Sequence, residues 1–244
     1  MIIGGIIRYA LFGIILYFWV MFSRNDAIIH LGCRNKKAFV LFMKGIILGN
    51  VLFIVYLVIA IFLRIARIEL YAKPISTEVI ILAIVYLFIS IFYCFAISLF
   101  EETLFRGLIL RFVLKKCSYK VAIIISSAFF GVAHFFSYSA SATFWIGLIN
   151  ATVIGILLCY IVLYTRSLML PIGYHFSWNL LQEITIMNNN QLILIIIDDN
   201  TISGGKFTPE AGLLTSIILI LLAMYMYIVK YRRQKSTPLE EQFL

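Results

Sequence analysis

The chain has 244 residues, of which 63% are hydrophobic and 13% are charged, and its mean hydropathy is +1.04. One soluble domain cannot bury so much apolar surface, so the composition excludes an ordinary soluble protein and indicates that lipid surrounds much of the chain. The formal net charge of +9 comes mostly from basic loops, which are attracted to anionic lipid. It does not indicate nucleic-acid binding.

The apolar residues occur in long blocks, and a helix needs about 20 such residues to cross the hydrocarbon layer. The blocks lack the period-2 alternation of a transmembrane β-barrel. The sequence therefore predicts an all-α, polytopic transmembrane helical bundle with about seven spans, within a range of six to eight. The predicted spans are Ile2–Phe22, Ala38–Leu63, Val79–Leu114, Val121–Phe135, Phe144–Tyr164, Leu168–Met187 and Gly212–Val229.

Basic residues predict the orientation of the spans, because short loops rich in Lys and Arg stay in the cytoplasm. Four basic regions fall on one side of the seven predicted spans: residues 24–37, residues 115–120, Arg166 and residues 230–235. We therefore expect a multi-pass protein with its amino terminus outside the cell and its carboxyl terminus in the cytoplasm. The loop of residues 64–77 also carries three basic residues and is an exception.

A few ionisable side chains lie inside the apolar segments, where each costs roughly 2.5 kcal/mol or more and commonly marks function. They are the carboxylates Glu101, Glu102 and Glu183 and the imidazoles His134 and His175. The remaining histidine, His30, lies in the first basic loop and is expected to be solvated.

Helical spacing places several of these groups at one depth. Glu101 precedes the basic turn at residues 115–120 by 14 residues and His134 follows it by 14. At 1.5 Å of rise per residue, both lie about 21 Å from that turn and are expected to meet across a helical hairpin. His175 and Asn179, at i and i+4 of the sixth span, share one helical face at a similar depth.

The third predicted span, Val79–Leu114, has 36 residues and would measure about 54 Å as one helix, more than one crossing requires. We expect it either to tilt and protrude or to break near the glutamate pair or at Gly107. Adjacent helical residues point about 100° apart, so Glu101 and Glu102 are expected to have different roles. The i, i+4 spacing of Glu102 and Arg106 allows a charge-assisted pair.

A carboxylate and two imidazoles around one cavity are compatible with two related chemistries. Glu101, His134 and His175 are candidate ligands of zinc or another divalent metal with an open fourth position. Alternatively, Glu101 and His134 activate a water as general bases, while His175 and the Asn179 amide stabilise the oxyanion. Both routes end in peptide hydrolysis. The competing interpretation is that these groups only hold helices together through hydrogen bonds.

Three short segments resemble motifs of a known family, the CAAX proteases and bacteriocin-processing enzymes (CPBP, or Abi). Glu101–Arg106 resembles the family's EExxxR motif, Phe130–His134 its FxxxH motif and His175–Asn179 its HxxxN/D motif, in the family's order. Gly204–Glu210 is also similar to a GGxFxPE loop found in some bacterial members. Each motif alone is weak, but three in order within an apolar helical chain are specific.

The resemblance implies an intramembrane endopeptidase, classed as a metalloprotease and related to the type II CAAX prenyl endopeptidases. Residues 1–78 would form amino-terminal transmembrane helices and residues 79–187 the protease core. Residues 188–244 would form an extracytoplasmic loop, the last transmembrane helix and a cytoplasmic tail. In the implied site, Glu101 and His134 handle the catalytic water or metal, Glu102 and Arg106 support them, and His175 and Asn179 bind metal or oxyanion.

The expected partners are the lipid bilayer and a substrate that is a membrane protein or a small peptide. The abundance of Ile and Asn suggests an AT-rich bacterium, which favours peptide maturation or bacteriocin self-immunity in a bacterial cell membrane. The alternatives are CAAX-type processing of prenylated proteins and a non-catalytic immunity protein that sequesters a peptide. A transporter, in which these carboxylates and imidazoles relay protons, is a further alternative.

Overall fold

The computed structural model describes residues 37–70, 76–135, 143–186, 193–198, 200–204 and 209–234. The helices are α1 (Ala38–Phe62), α2 (Thr77–Glu102), α3 (Leu110–Leu114), α4 (Tyr119–Ala133), α5 (Phe144–Thr165), α6 (Met169–Thr185) and α7 (Leu213–Gln234). A π-helical segment (Thr103–Ile109) joins α2 to α3, and a 3-10 turn (Pro209–Ala211) precedes α7. The strands are β1 (Ala66–Leu70) and β2 (Ile193–Ile197).

Three helical segments among the described residues are long and apolar enough to cross a bilayer: Ala38–Phe62, Thr77–Leu114 and Phe144–Thr165. Two shorter apolar helices cover Tyr119–Ala133 and Leu213–Met226. The chain is therefore an integral membrane protein, with helices where six of the spans were predicted. The number of seven spans is not confirmed, and the first of them, Ile2–Phe22, lies outside the described residues.

The long third span does not break at the glutamate pair or at Gly107. It is helical from Thr77 to Leu114, but residues Thr103–Ile109 form a π-helix. The Leu110 N–H bonds to the Phe105 carbonyl five residues before it, where an α-helix would use a carbonyl four residues before. Sequence periodicity did not predict this wider turn, which begins directly after the glutamate pair.

A small antiparallel sheet is the main departure from the expected all-α fold. β1 pairs with β2 in the register Ala66↔Ile197 through Leu70↔Ile193. β2 is a run of Ile and Leu, and β-branched residues favour strands. On the inner face, Ala66, Ile195 and Ile197 join a buried cluster with residues of α1, α6 and α7.

The sheet links two loops that sequence placed on the same side of the membrane. Within it, Arg67 forms ion pairs with Glu69 at 3.0 Å and with Asp198 at 3.3 Å. The basic loop that was an exception to the charge rule is thus accompanied by acidic partners. Arg64 turns the chain from α1 towards β1 with a φ of 59°.

Helices α1 and α6 cross in close contact through small residues. A Cβ atom added to Gly45 would lie 2.2 Å from the Leu170 carbonyl oxygen, and one added to Gly173 would lie 2.2 Å from that of Phe42. Ser177 Oγ donates a hydrogen bond to the Ile46 carbonyl at 3.1 Å. Close approach through small residues is a common way for helices to associate in lipid. The crossing fixes α6, which carries His175 and Asn179.

The hairpin that carries the second motif is fixed to the π-helical segment. Ser126 of α4 donates to the Phe105 carbonyl at 2.8 Å, the same carbonyl that accepts the Leu110 N–H. Phe105 and Phe130 pack edge to face with ring centroids 5.1 Å apart. These contacts set the position of α4 relative to the glutamate pair.

Candidate active site

Glu101 and the two membrane histidines converge on one point. Glu101 Oε2 lies 3.8 Å from His134 Nε2 and 3.8 Å from His175 Nε2. The Glu101 side chain is 22% exposed, whereas its Oε2 atom is buried and makes no hydrogen bond within the described residues. Three elements, α2, the end of α4 and α6, therefore bring their polar groups to the same place.

Glu102 occupies the layer behind this point. Its Oε1 atom accepts a hydrogen bond from Arg106 Nη1 at 2.9 Å and another from His175 Nδ1 at 3.0 Å. The side chains of Glu102 and Arg106 are both fully buried. Glu101 and Glu102 thus face different partners, as their 100° offset predicts. A buried ion pair of this kind orients the imidazole that it touches.

Hydrogen bonds to the Nδ1 atoms define how both imidazoles face the cavity. His134 Nδ1 lies 2.8 Å from the Phe130 carbonyl, and His175 Nδ1 lies 3.0 Å from the Glu102 carboxylate. A carbonyl and a carboxylate only accept hydrogen bonds, so each Nδ1 carries a proton. In a neutral imidazole the lone pair then lies on Nε2, the atom nearer Glu101.

The ring of Phe130 packs against the cationic and imidazole groups. Arg106 Cζ lies 4.1 Å from the ring centroid, a distance typical of a cation–π contact. The centroid lies 4.6 Å from that of His134 and 6.1 Å from that of His175. This ring restricts the orientations that both imidazoles can adopt. The sequence motif contained Phe130, but sequence analysis did not include it among the site residues.

A cavity of about 560 Å³, counting its open mouth, adjoins these groups. Glu101, His134, His175 and Asn179 all line it. Glu102 and Arg106 stand behind them. Most of the surface that lines the cavity is apolar, although five of the other ten lining residues carry polar side-chain atoms: Asn150, Tyr174, Trp178, Glu210 and Thr215.

Glu210 and Asn150 also line the cavity, although the sequence did not predict them as site residues. Asn150 interrupts the apolar fifth span, which is a signal that a search limited to ionisable groups overlooks. Glu183, which the sequence singled out, is not among the residues that line the cavity. Its carboxylate accepts a hydrogen bond from Tyr86 and so joins α6 to α2.

The donors Glu101, His134 and His175 were candidate ligands for zinc or another divalent metal. Two ligand atoms of a tetrahedral zinc lie roughly 3.4 Å apart when the bonds are about 2.1 Å. Here the carboxylate oxygen is 3.8 Å from each imidazole nitrogen. Among the described residues, no group of three His, Cys, Asp or Glu side chains is arranged to hold a metal. The donor types suit zinc but their present arrangement does not fit it.

The sequence also matches a family of known proteins. Residues 79–181 match the family described as Type II CAAX prenyl endopeptidase Rce1-like. Over this segment the chain is similar to CAAX-type proteases. All three motifs lie within it, whereas α1, the sheet and Glu210 lie outside it. No curated protein and no solved structure matches the chain.

This similarity supports a CAAX-type membrane protease that acts on a protein or peptide. The matched segment is less than half of the 244-residue chain. The roles of the individual site residues therefore follow from chemistry and geometry, and they stay predictions.

Proposed function

We propose that this protein is an intramembrane endopeptidase that hydrolyses a peptide bond in a membrane-associated protein or a small peptide. One observation carries the proposal: a buried carboxylate oxygen of Glu101 stands 3.8 Å from the Nε2 atoms of both His134 and His175, beside a cavity. A carboxylate and an imidazole that face one point suit general acid–base catalysis.

Glu101 and His134 activate the attacking water in this proposal. The Glu101 carboxylate and His134 Nε2 are both proton acceptors when His134 is neutral, and both line the cavity. The water oxygen attacks the carbonyl carbon while its proton passes to Glu101. When the tetrahedral intermediate collapses, the carbon–nitrogen bond breaks and this proton passes to the leaving nitrogen.

His175 and Asn179 stabilise the oxyanion of that intermediate. His175 Nδ1 donates to Glu102, so Nε2 can donate to an oxyanion only when the ring is an imidazolium. Glu101 and Glu102 flank that imidazolium, and Arg106 balances the second carboxylate. The Asn179 side-chain amide lines the same cavity and supplies a neutral donor.

The proposed substrate is a small secreted or membrane-bound peptide, as in peptide maturation or bacteriocin self-immunity in a bacterial cell membrane. The largely apolar cavity supports an apolar peptide segment beside the scissile bond. Prenylated proteins, the substrates in the printed name of the matched family, are the alternative. A metal bound by Glu101, His134 and His175 stays a separate proposal.

The test is cleavage of a library of leader-bearing and lipidated peptides by the purified protein in lipid nanodiscs. Glu101→Ala is expected to lower the rate by about 10²- to 10⁴-fold, the usual contribution of a general base. Glu69→Ala is a matched control, because Glu69 is an exposed carboxylate on β1. A zinc chelator added to the wild type tests the metal proposal separately.

Two results would contradict the proposed catalysis. One is full cleavage by Glu101→Ala, and the other is no cleavage of any peptide by a folded wild-type sample. The second result would favour a protein that sequesters its peptide. Loss of activity on chelation, with recovery on adding zinc, would support a metal that draws the three donors together.

A further inference from the structure

Glu210 brings a second carboxylate to the cavity from outside the family segment. It lies in the 3-10 turn Pro209–Ala211, and it lines the cavity together with Glu101. Its Oε1 atom accepts hydrogen bonds from Trp178 Nε1 at 2.8 Å and from Gln182 Nε2 at 3.0 Å. Both donors belong to α6 and both are buried.

The residues held by Glu210 share a face of α6 with the proposed oxyanion donors. His175, Asn179 and Gln182 stand at i, i+4 and i+7, a spacing that aligns side chains along one helical face. Glu102 is hydrogen-bonded to this face at His175, and Glu210 is hydrogen-bonded to it at Trp178 and Gln182. Asn179 therefore lies between two carboxylate attachments.

The backbone of the turn is anchored to α5 and α7. Asn150 Nδ2 donates to the Glu210 carbonyl at 2.7 Å and to the Gly212 carbonyl at 3.1 Å. Ser216 Oγ holds the same amide by donating to Asn150 Oδ1 at 2.8 Å. Thr215 Oγ1 donates to the Pro209 carbonyl at 2.6 Å. Because these hydrogen bonds hold the turn in place, the Glu210 carboxylate has a fixed position relative to α6.

We propose that Glu210 is a positioning residue, which sets the angle of α6 through the acceptor oxygen of its side chain and so aligns His175 and Asn179 with the scissile carbonyl. This inference rests on the proposed endopeptidase activity. A displacement of about 1 Å in such a group lowers the rate by about 10²-fold. The required property is a hydrogen-bond acceptor, which a glutamine amide also offers.

Three variants in nanodiscs separate this role from others. Glu210→Ala is expected to lower kcat by about 10- to 100-fold, with KM within about threefold of wild type. Glu210→Gln keeps an oxygen for Trp178 and Gln182 and is expected to recover most of the lost kcat. Asp198→Ala is the control, because Asp198 is an exposed acid directly after β2 that pairs with Arg67. The kcat of this variant is expected to be unchanged.

Two kinetic results would overturn the inference. One is a wild-type kcat for Glu210→Ala, and the other is a Glu210→Gln variant as slow as Glu210→Ala. Equal impairment of the two variants would mean that the charge matters and the acceptor does not. A rise in KM alone would mean that Glu210 binds substrate directly.

Fluorescence of Trp178 tests the contact independently of catalysis. The chain has three tryptophans, so Trp19→Phe with Trp145→Phe leaves Trp178 as the only tryptophan, and selective excitation of tryptophan isolates its emission. In this background Glu210→Ala is expected to shift the emission maximum, whereas Glu210→Gln and Asp198→Ala are not. If the wild type cleaves nothing, the proposed function fails and this readout still applies. An unshifted Glu210→Ala spectrum would overturn the positioning role.

Discussion

At the scale of single residues, the fully buried Glu102–Arg106 pair depends most strongly on having both of its members. Glu102 Oε1 serves Arg106 and His175 at once, while Glu102 Oε2 and two Arg106 nitrogens make no hydrogen bond within the described residues. Phe130 covers the guanidinium with its ring face. Charges removed from water in this way depend on each other, because either one alone would be buried without compensation.

Arg106→Ala is therefore expected to destabilise the protein by about 3–5 kcal/mol, the usual result of removing one partner of a buried pair. The free energy of unfolding in mixed detergent measures this change. Arg67→Ala is the control, because its ion pairs are exposed and such pairs contribute at most about 1 kcal/mol. Equal stability of wild type and Arg106→Ala would show that the pair contributes nothing to the fold.

At the scale of elements, the contact between α1 and α6 connects the amino-terminal region to the site. α1 lies outside the family segment, yet it packs on the helix that carries His175 and Asn179. At Gly45 and Gly173 an added Cβ would meet backbone carbonyl oxygens, which cannot move as a flexible side chain can. The crossing thus requires glycine at both positions, because any other residue would place a Cβ atom there.

Gly45→Ala is expected to destabilise the protein by about 1–3 kcal/mol through overpacking, and to lower peptide cleavage because α6 moves. Val51→Ala on the same helix is the control, since Val51 is 50% exposed on the surface available to lipid. Thermal unfolding and the peptide assay together check the prediction. A Gly45→Ala protein as stable and as active as wild type would show that the helices separate at little cost.

At the scale of the whole molecule, the sheet places two distant loops on one side of the bundle. β1 follows α1, and β2 follows α6, which is far along the chain. The predicted topology puts both loops outside the cell and the turn between α3 and α4 in the cytoplasm. Cys117, in that turn, is exposed and provides a natural marker.

Labelling with a membrane-impermeant maleimide on intact cells checks this topology. Glu69→Cys and Asp198→Cys, each in a background without the native cysteines, are expected to react from outside. A chain that retains only Cys117 is expected to react only after the membrane is permeabilised. Reaction of Glu69→Cys and Asp198→Cys from opposite sides would contradict the sheet.

Sequence reasoning predicted the helices and the convergence of polar groups more fully than the elements around them. Periodicity and helical rise suffice to place Glu101 and His134 at one depth, because they depend only on residue spacing. The pairing of Ala66–Leu70 with Ile193–Ile197 depends on contacts far apart in the chain, which spacing does not contain. The GGxFxPE-like loop was recognised, but the contact of its Glu210 with α6 was not predicted for the same reason, since the turn folds back onto that helix. The catalytic roles stay predictions.

The π-helical segment Thr103–Ile109 determines which way the glutamate pair faces relative to α3. A π-turn holds one residue more than an α-turn. Removing that residue would turn everything before it by about 100° relative to α3. Glu101 and Glu102 would then point away from the histidines, towards lipid or towards other packed side chains. The wider turn therefore sets the direction in which both glutamates point relative to the helix that follows.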